Sequence, residues 1–132
     1  MKLSIQQSYL AMFYLLDMFY WITKDDCLGS LLGGFNPYLF VGGMSADPAA
    51  WDDWINSVKK ISDEELLTSK EAFLCTVEFV RFHKDEFGFE LGWLIDGINA
   101  MSEDNEKWTA SINKALQDTC SADDTPAESA DL

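Results

Sequence analysis

The pattern of apolar and polar positions predicts a helical protein. No segment alternates strictly between apolar and polar residues, as a half-buried strand does. Residues 5–23 contain neither glycine nor proline and are apolar almost all round, which is typical of a helix surrounded by other helices. Ser4 is a suitable N-cap, and Gln7 three residues later completes a capping-box pattern. We therefore expect a long, buried first helix.

Two further helices are expected in the first half of the chain. A short helix over about residues 26–32 is ended by Gly33-Gly34, and a third runs from about Pro48 to Ile61. Residues 35–44 lie between them and read as a loop, because they are rich in glycine and proline as well as in aromatic side chains.

The second half of the chain repeats this plan. Residues 67–83 align with residues 3–19, and LGWLIDG (91–97) aligns with LGSLLGG (28–34). The third match places Trp108 on Trp51. Because these matches keep their order along the chain, they predict an internal duplication.

The expected fold class is therefore all-α, a helical bundle built from two pseudo-repeated three-helix units. The units cover about residues 3–61 and 67–117, within a single domain of residues 1–117. Residues 118–132 carry five acids, no base and no apolar periodicity, so we expect a disordered acidic tail there.

Net charge narrows the range of partners. The 132 residues include 23 acids and 9 bases, which gives a formal charge of −14. Such a field repels nucleic acid and anionic membranes and speeds encounter with basic partners, although acidity also serves solubility alone. The apolar run of residues 9–22 is interrupted by Asp17 and is shorter than the roughly 18–20 residues that a membrane span requires. We expect a soluble protein that binds neither nucleic acid nor membrane.

The sequence contains few of the residue patterns that catalytic or metal-binding sites use. The three cysteines form no CxxC motif and there is one histidine, so neither a disulfide framework nor a metal site is expected. Cys75 and His83 are eight residues apart on one predicted helix, about 12 Å along its axis, and cannot form a nucleophile–base pair. We expect no cofactor and no enzymatic activity.

Exposed acids and aromatic residues are the more informative features. Asp52 and Asp53 lie beyond the first turn of their helix, and the predicted repeat places Thr109 and Ala110 at these positions. Trp93 stands where the first unit has Ser30. Carboxylates around aromatic anchors suit a basic protein surface, whereas helix capping and loop packing are the structural alternatives. The predicted partner-binding residues are Asp25, Asp26, Tyr38, Phe40, Asp52, Asp53 and Trp93.

Three phrases in the first 60 residues carry a family resemblance: SYLAMFYLLDMFY (8–20), DDCLGSLLGG (25–34) and ADPAAWDDW (46–54). They resemble small acidic bacterial immunity proteins of polymorphic toxin systems, including contact-dependent growth inhibition. The resemblance implies a cytoplasmic protein that binds and neutralises a cognate toxin, commonly a nuclease.

Three functions are open on the sequence alone. The leading hypothesis is an inhibitor whose acidic, aromatic face covers the basic active site of a toxin. The second is a helical adaptor that binds a regulatory protein or peptide in an apolar groove between the two units. The third is a small enzyme, which would need a ligand or metal in that groove.

Overall fold

The chain is mostly helical. The computed structural model describes residues 2–34 and 48–124, with the backbone alone at Pro48 and over 119–124. Six helices lie in these ranges, and their bounds agree closely with those predicted for the first half. They are α1 (Ile5–Thr23), α2 (Asp26–Gly34), α3 (Pro48–Ile61), α4 (Ser69–Phe87), α5 (Gly92–Ala100) and α6 (Glu106–Asp124).

Two short strands join the two halves of the chain, where the sequence predicts none. Strand β1 (Lys2–Ser4) pairs antiparallel with β2 (Leu66–Thr68), and Leu3 lies opposite Leu67. Both of these leucines are fully buried. Three residues are too few for alternation of apolar and polar positions to be visible in the sequence, which explains the missed strands.

Each strand leads directly into a long helix through a capping box. The Gln7 amide donates to Ser4 Oγ at 3.0 Å, and the Ser4 amide donates to Gln7 Oε1 at 2.8 Å, as the sequence predicts. Thr68 and Glu71 form the same pair of bonds at the start of α4, at 3.1 and 2.9 Å. Each box satisfies two backbone donors that a helix start would otherwise leave without partners.

Each of the long helices α1 and α4 packs mainly against a helix from the other half of the chain. Helix α1 packs mainly against α6, and α4 packs mainly against α3. The middle of α1, from Ser8 to Leu16, is buried on every side, as expected for a helix surrounded by others. Buried residues from both halves belong to one hydrophobic core.

Two buried tryptophans contact the first residues of the long helices. The Trp54 indole N–H donates to the carbonyl of Ile5 at 3.3 Å, and the Trp108 indole lies 3.3 Å from the carbonyl of Ser69. Ile5 and Ser69 are the first residues of α1 and α4. Trp54 therefore makes the contact in the first half that Trp108 makes in the second, although the sequence alignment pairs Trp108 with Trp51. Since Trp51 and Trp54 are three residues apart on one helical stripe, periodicity cannot distinguish them.

The C-terminal helix is longer than predicted. Helix α6 continues to Asp124 and so includes residues 118–124, where the sequence predicts the start of a disordered tail. The Tyr14 hydroxyl donates to the Asp118 carboxylate, which ties this part of α6 to α1. Residues 125–132 lie outside the described residues. Among the helices described, none has the length and hydropathy needed to cross a membrane.

The strand pair offers a matched stability test. Leu67→Ala removes a fully buried side chain opposite Leu3, so we expect a loss of about 2–5 kcal/mol in the free energy of unfolding. Leu66→Ala removes a neighbour that is 50% exposed and should cost no more than about 0.5 kcal/mol. Urea titration followed by far-UV circular dichroism measures both. Equal losses would contradict the role given to the strand pair.

Candidate functional site

Two clefts open on opposite sides of the short helix α2. Asp26, Gly29, Leu32 and Gly33 line the first, together with residues of α1. Ser30, Leu31 and Gly34 line the second, together with residues of α3 and α4. We call them the α1–α2 cleft and the α2–α4 pocket.

The α1–α2 cleft combines aromatic side chains with two carboxylates. Its volume is about 390 Å³, and α1 contributes Phe13, Asp17 and Tyr20 to its lining. A Cβ atom at Gly29 would lie 2.8 Å from the Tyr20 ring, so only glycine allows α2 to approach Tyr20 this closely. Asp26, on the first turn of α2, supplies the second carboxylate.

The carboxylates of this cleft are not neutralised by ion pairs. Among the described side chains of residues 2–34 and 49–118, the acids within ion-pair distance of a basic side chain are Glu78, Asp85 and, beside the His83 imidazole, Asp53. Neither Asp17 nor Asp26 therefore has a basic side chain at ion-pair distance in this part of the chain. The α1–α2 cleft is consequently a region of negative potential.

Exposed apolar side chains continue the surface at the end of α1. Trp21 is 63% and Ile22 67% exposed. The Lys24 ammonium lies 3.5 Å from the centroid of the Trp21 ring, in cation–π contact. The aromatic surface next to the cleft is therefore already in contact with a cationic group of the chain, the Lys24 ammonium.

Sequence reasoning missed Asp17, Trp21 and Ile22 as surface residues. They belong to the long apolar helix, which the sequence indicates is buried along its whole length. The last turn of α1 extends beyond the helices that cover its middle, so the same apolar pattern produces core at Leu16 and surface at Trp21. The one signal of a solvent-exposed face in this apolar run is its aspartate, Asp17.

The two adjacent acids at the start of α2 have different roles. Asp25 Oδ2 accepts the amide of Leu28 at 2.9 Å, so Asp25 acts as the cap of the helix. Asp26 is exposed and lines the α1–α2 cleft. Of the two predicted binding residues, only Asp26 is therefore placed at a cleft.

The α2–α4 pocket is largely apolar and has a histidine and an aspartate in its lining. Its volume is about 270 Å³, and its apolar walls include Leu31, Phe87 and Phe89. Asp53 of α3 and His83 of α4 supply its titratable groups. This pocket lies between helices of the two halves of the chain.

The His83 ring is held in one orientation. Its Nδ1 is 2.9 Å from the carbonyl oxygen of Phe79, which can only accept, so we assign the proton to Nδ1. The other ring nitrogen, Nε2, lies 3.8 Å from Asp53 Oδ2. His83 is buried, as the sequence comparison with Phe19 indicates.

Trp93 of α5 packs beside Phe19 of α1. Its ring is 6.5 Å from that of Phe19, and it remains 36% exposed. Ser30 and His83 are the residues that the sequence aligns with Trp93 and Phe19. Ser30 and His83 line the α2–α4 pocket together.

The predicted binding residues do not form one cluster. Asp52 is exposed on α3 and lines neither cleft, and Trp93 is a covering residue on α5. Asp53 lines the α2–α4 pocket. Tyr38 and Phe40 lie outside the described residues.

The match of Trp54 with Trp108 also changes the argument for the acidic pair on α3. In this register Asp52 corresponds to Glu106 and Asp53 to Lys107, rather than to Thr109 and Ala110. Asp52 is thus an acid in both halves, whereas Asp53 reverses the charge of its counterpart. The asymmetry inferred from the sequence for both residues holds for Asp53 alone.

Among the described residues, the Cys75 thiol is a weak candidate nucleophile for covalent catalysis. Burial, with a smaller contribution from the Glu71 carboxylate, raises the pKa of the Cys75 thiol to about 12. The thiol therefore stays protonated near neutral pH and is a poor nucleophile. Among the described side chains, those of residues 2–34 and 49–118, no three of His, Cys, Asp or Glu are grouped to hold a metal ion.

No protein-family model, curated protein or solved structure matches this chain.

The thiol chemistry can be tested directly. At about pH 8 the raised pKa reduces the thiolate fraction of Cys75 about a thousand-fold relative to a thiol with the ordinary pKa of 9.0. We expect Cys75 to resist iodoacetamide in the folded protein and to react once the chain is unfolded in urea. Peptide mass spectrometry measures the extent at each cysteine. Rapid labelling of Cys75 in the folded protein would contradict its burial.

Proposed function

We propose that this protein is a non-catalytic inhibitor of the immunity type, which binds a basic bacterial toxin and covers its active site. The observation that carries the proposal is the α1–α2 cleft, where Asp17 and Asp26 lie beside aromatic side chains and the exposed Trp21 and Ile22. The toxin is proposed to be a nuclease domain, as the family resemblance implies.

Charge supports this choice of partner. A nuclease holds a polyanionic substrate and therefore presents a basic surface around its active site. The chain carries a net charge of −14, and the cleft carboxylates are not committed to ion pairs within the described residues. Complementary charge accelerates encounter and orients the two proteins before contact.

Exposed aromatic residues support the same choice. Interfaces obtain most of their affinity from a few aromatic or arginine anchors surrounded by a polar rim. Trp21 and Ile22 are large, exposed side chains next to the acidic cleft, and Tyr20 forms part of its lining. We assign affinity to these side chains and the association rate to the carboxylates.

The proposal places the protein in the cytoplasm, where an immunity protein meets its toxin. Cys27 and Cys75 are free thiols, which suits a reducing compartment. It assigns the chain no cofactor and no contact with nucleic acid or membrane. The buried Cys75 thiol and the separation of Cys75 from His83 on α4 favour binding over catalysis.

We further propose that the two halves are pseudo-repeated three-helix units derived from one ancestral unit. Strand pairing centred on Leu3 and Leu67 is the arrangement that a two-fold axis between the halves would produce. The duplicate capping boxes and the equivalent indole bonds of Trp54 and Trp108 support the same relation. The binding clefts would then be features that only the first unit acquired.

A helical adaptor is the second candidate function. The α2–α4 pocket favours it, because that pocket is mostly apolar and lies between helices of the two halves. An amphipathic peptide could place an apolar side chain there. This function would make the acidic cleft a solubility feature.

Charge-neutralising variants test the leading proposal. The double variant Asp17→Asn, Asp26→Asn should lower the association rate with the toxin encoded beside this gene by about tenfold, because it removes steering charge from the cleft. Stopped-flow fluorescence measures the rate, and a growth assay measures protection.

The matched control is the double variant Asp63→Asn, Glu64→Gln. It removes the same charge from exposed residues that precede β2, at the other end of the molecule from the last turns of α1. We expect an association rate within about twofold of the wild type. Equal slowing by both double variants would mean that net charge, and not the cleft, controls capture.

A further inference from the structure

We propose that Lys24 is a positioning residue, which holds the exposed Trp21 ring in place as a preformed anchor for the partner protein. This inference rests on the proposed function for the identity of the partner, and it adds how the aromatic anchor is prepared before contact. A side chain that is already held loses less conformational freedom on binding than a mobile one, so preorganisation raises affinity.

The backbone of Lys24 adopts a conformation that favours glycine. Lys24 is the C-cap of α1 with φ at 54°, and within residues 2–34 and 48–124 it is the one residue other than glycine with a positive φ. The C-cap of α4 is Gly88, with φ at 73°. Both helices have 19 residues, so the two caps hold equivalent positions. A left-handed lysine costs stability that glycine avoids, which indicates that the Lys24 side chain does more than end the helix.

The Lys24 side chain lies against aromatic rings rather than beside a carboxylate. Its ammonium is 3.5 Å from the centroid of the Trp21 ring and 5.5 Å from that of Tyr20. Asp25 and Asp26 follow Lys24 in the chain, yet none of the ion pairs among the described side chains of residues 2–34 and 49–118 includes Lys24. The cation–π contact with Trp21 is therefore the main contact of this ammonium.

The fold does not require apolar side chains at the positions of Trp21 and Ile22. The same positions near the end of α4 are Asp85 and Glu86, and both of these acids are exposed. Trp21 and Ile22 are 63% and 67% exposed in α1. Large exposed apolar side chains at positions where the other half has acids favour a role in binding.

Tyr20 connects the anchor to the acidic cleft. Its ring lies edge-on to the Trp21 ring, with 5.9 Å between the ring centroids, and it also lines the α1–α2 cleft. Tyr20 is itself packed closely, because a Cβ atom at Gly29 would lie 2.8 Å from its ring. Lys24 and Tyr20 thus restrain the Trp21 ring next to the cleft carboxylates, where a basic partner meets charge and anchor together.

NMR relaxation of the full chain tests whether Lys24 holds Trp21 without the toxin. The indole N–H signal of Trp21 is assigned as the one that is missing from the spectrum of the Trp21→Phe variant. We expect its order parameter in the wild type to be nearer the rigid value of about 0.85 than the flexible value below about 0.6. Lys24→Gly should lower this order parameter by at least about 0.2. Lys24→Arg should restore it, because a guanidinium group also stacks on an indole ring.

The same glycine variant separates binding from folding. Because glycine is favoured at a left-handed helix end, the melting temperature of Lys24→Gly by circular dichroism should equal or exceed that of the wild type. Its affinity for the proposed toxin should nevertheless fall about two- to fivefold, through faster dissociation, because the anchor is no longer held. Lys60→Gln is the matched charge control, since it removes one positive charge from an exposed position in the last turn of α3. It should dissociate at the wild-type rate.

Each contrary result counts against the inference. An unchanged order parameter or an unchanged dissociation rate in Lys24→Gly would overturn the positioning role. A lower melting temperature of that variant would assign Lys24 to folding, and equally fast dissociation of Lys60→Gln would assign the effect to charge. A wild-type chain that does not bind the toxin would instead refute the proposed function, while the relaxation data would still decide whether Lys24 holds Trp21, so the two failures are distinguishable.

Discussion

The antiparallel contact of Leu3 with Leu67 is the constraint on which the rest of the structure depends. It joins two residues that are far apart in sequence, and both are completely buried. The capping boxes start α1 and α4 immediately after the paired strands, and Trp54 and Trp108 close over those starts. Each long helix has 19 residues and so extends about 28 Å from this end. The last turns of α1 and α4 carry exposed side chains, among them Trp21, Ile22 and Phe87.

The two clefts occupy that distant surface. Asp17 and Tyr20 lie in the second half of α1 and His83 and Phe87 in that of α4, and α2 separates the two groups. The short helix can approach Tyr20 closely because Gly29 has no side chain. The α1–α2 cleft is acidic with exposed aromatic neighbours, whereas the α2–α4 pocket is mainly apolar.

Much of the fold could be predicted from the sequence, but less of the site. Helix bounds and the Ser4 cap follow from local rules about apolar periodicity and capping residues, which need no tertiary information. The register of Trp54 could not be predicted, because tryptophans three residues apart share a helical face. Trp21 and Ile22 were missed since exposure at the end of an apolar helix depends on where its neighbours stop. Asp26 and Asp53 were predicted as binding residues, yet only the packing around α2 places them in separate clefts.

The most direct test of the proposed function is the salt dependence of association with the proposed toxin. Capture through the acidic cleft should slow steeply between about 20 and 150 mM salt, because the Debye length falls to about 8 Å at physiological ionic strength. Stopped-flow measurement over that range should therefore give a rate that falls by at least about tenfold. A rate that stays constant would contradict electrostatic capture and would favour an apolar binding groove instead.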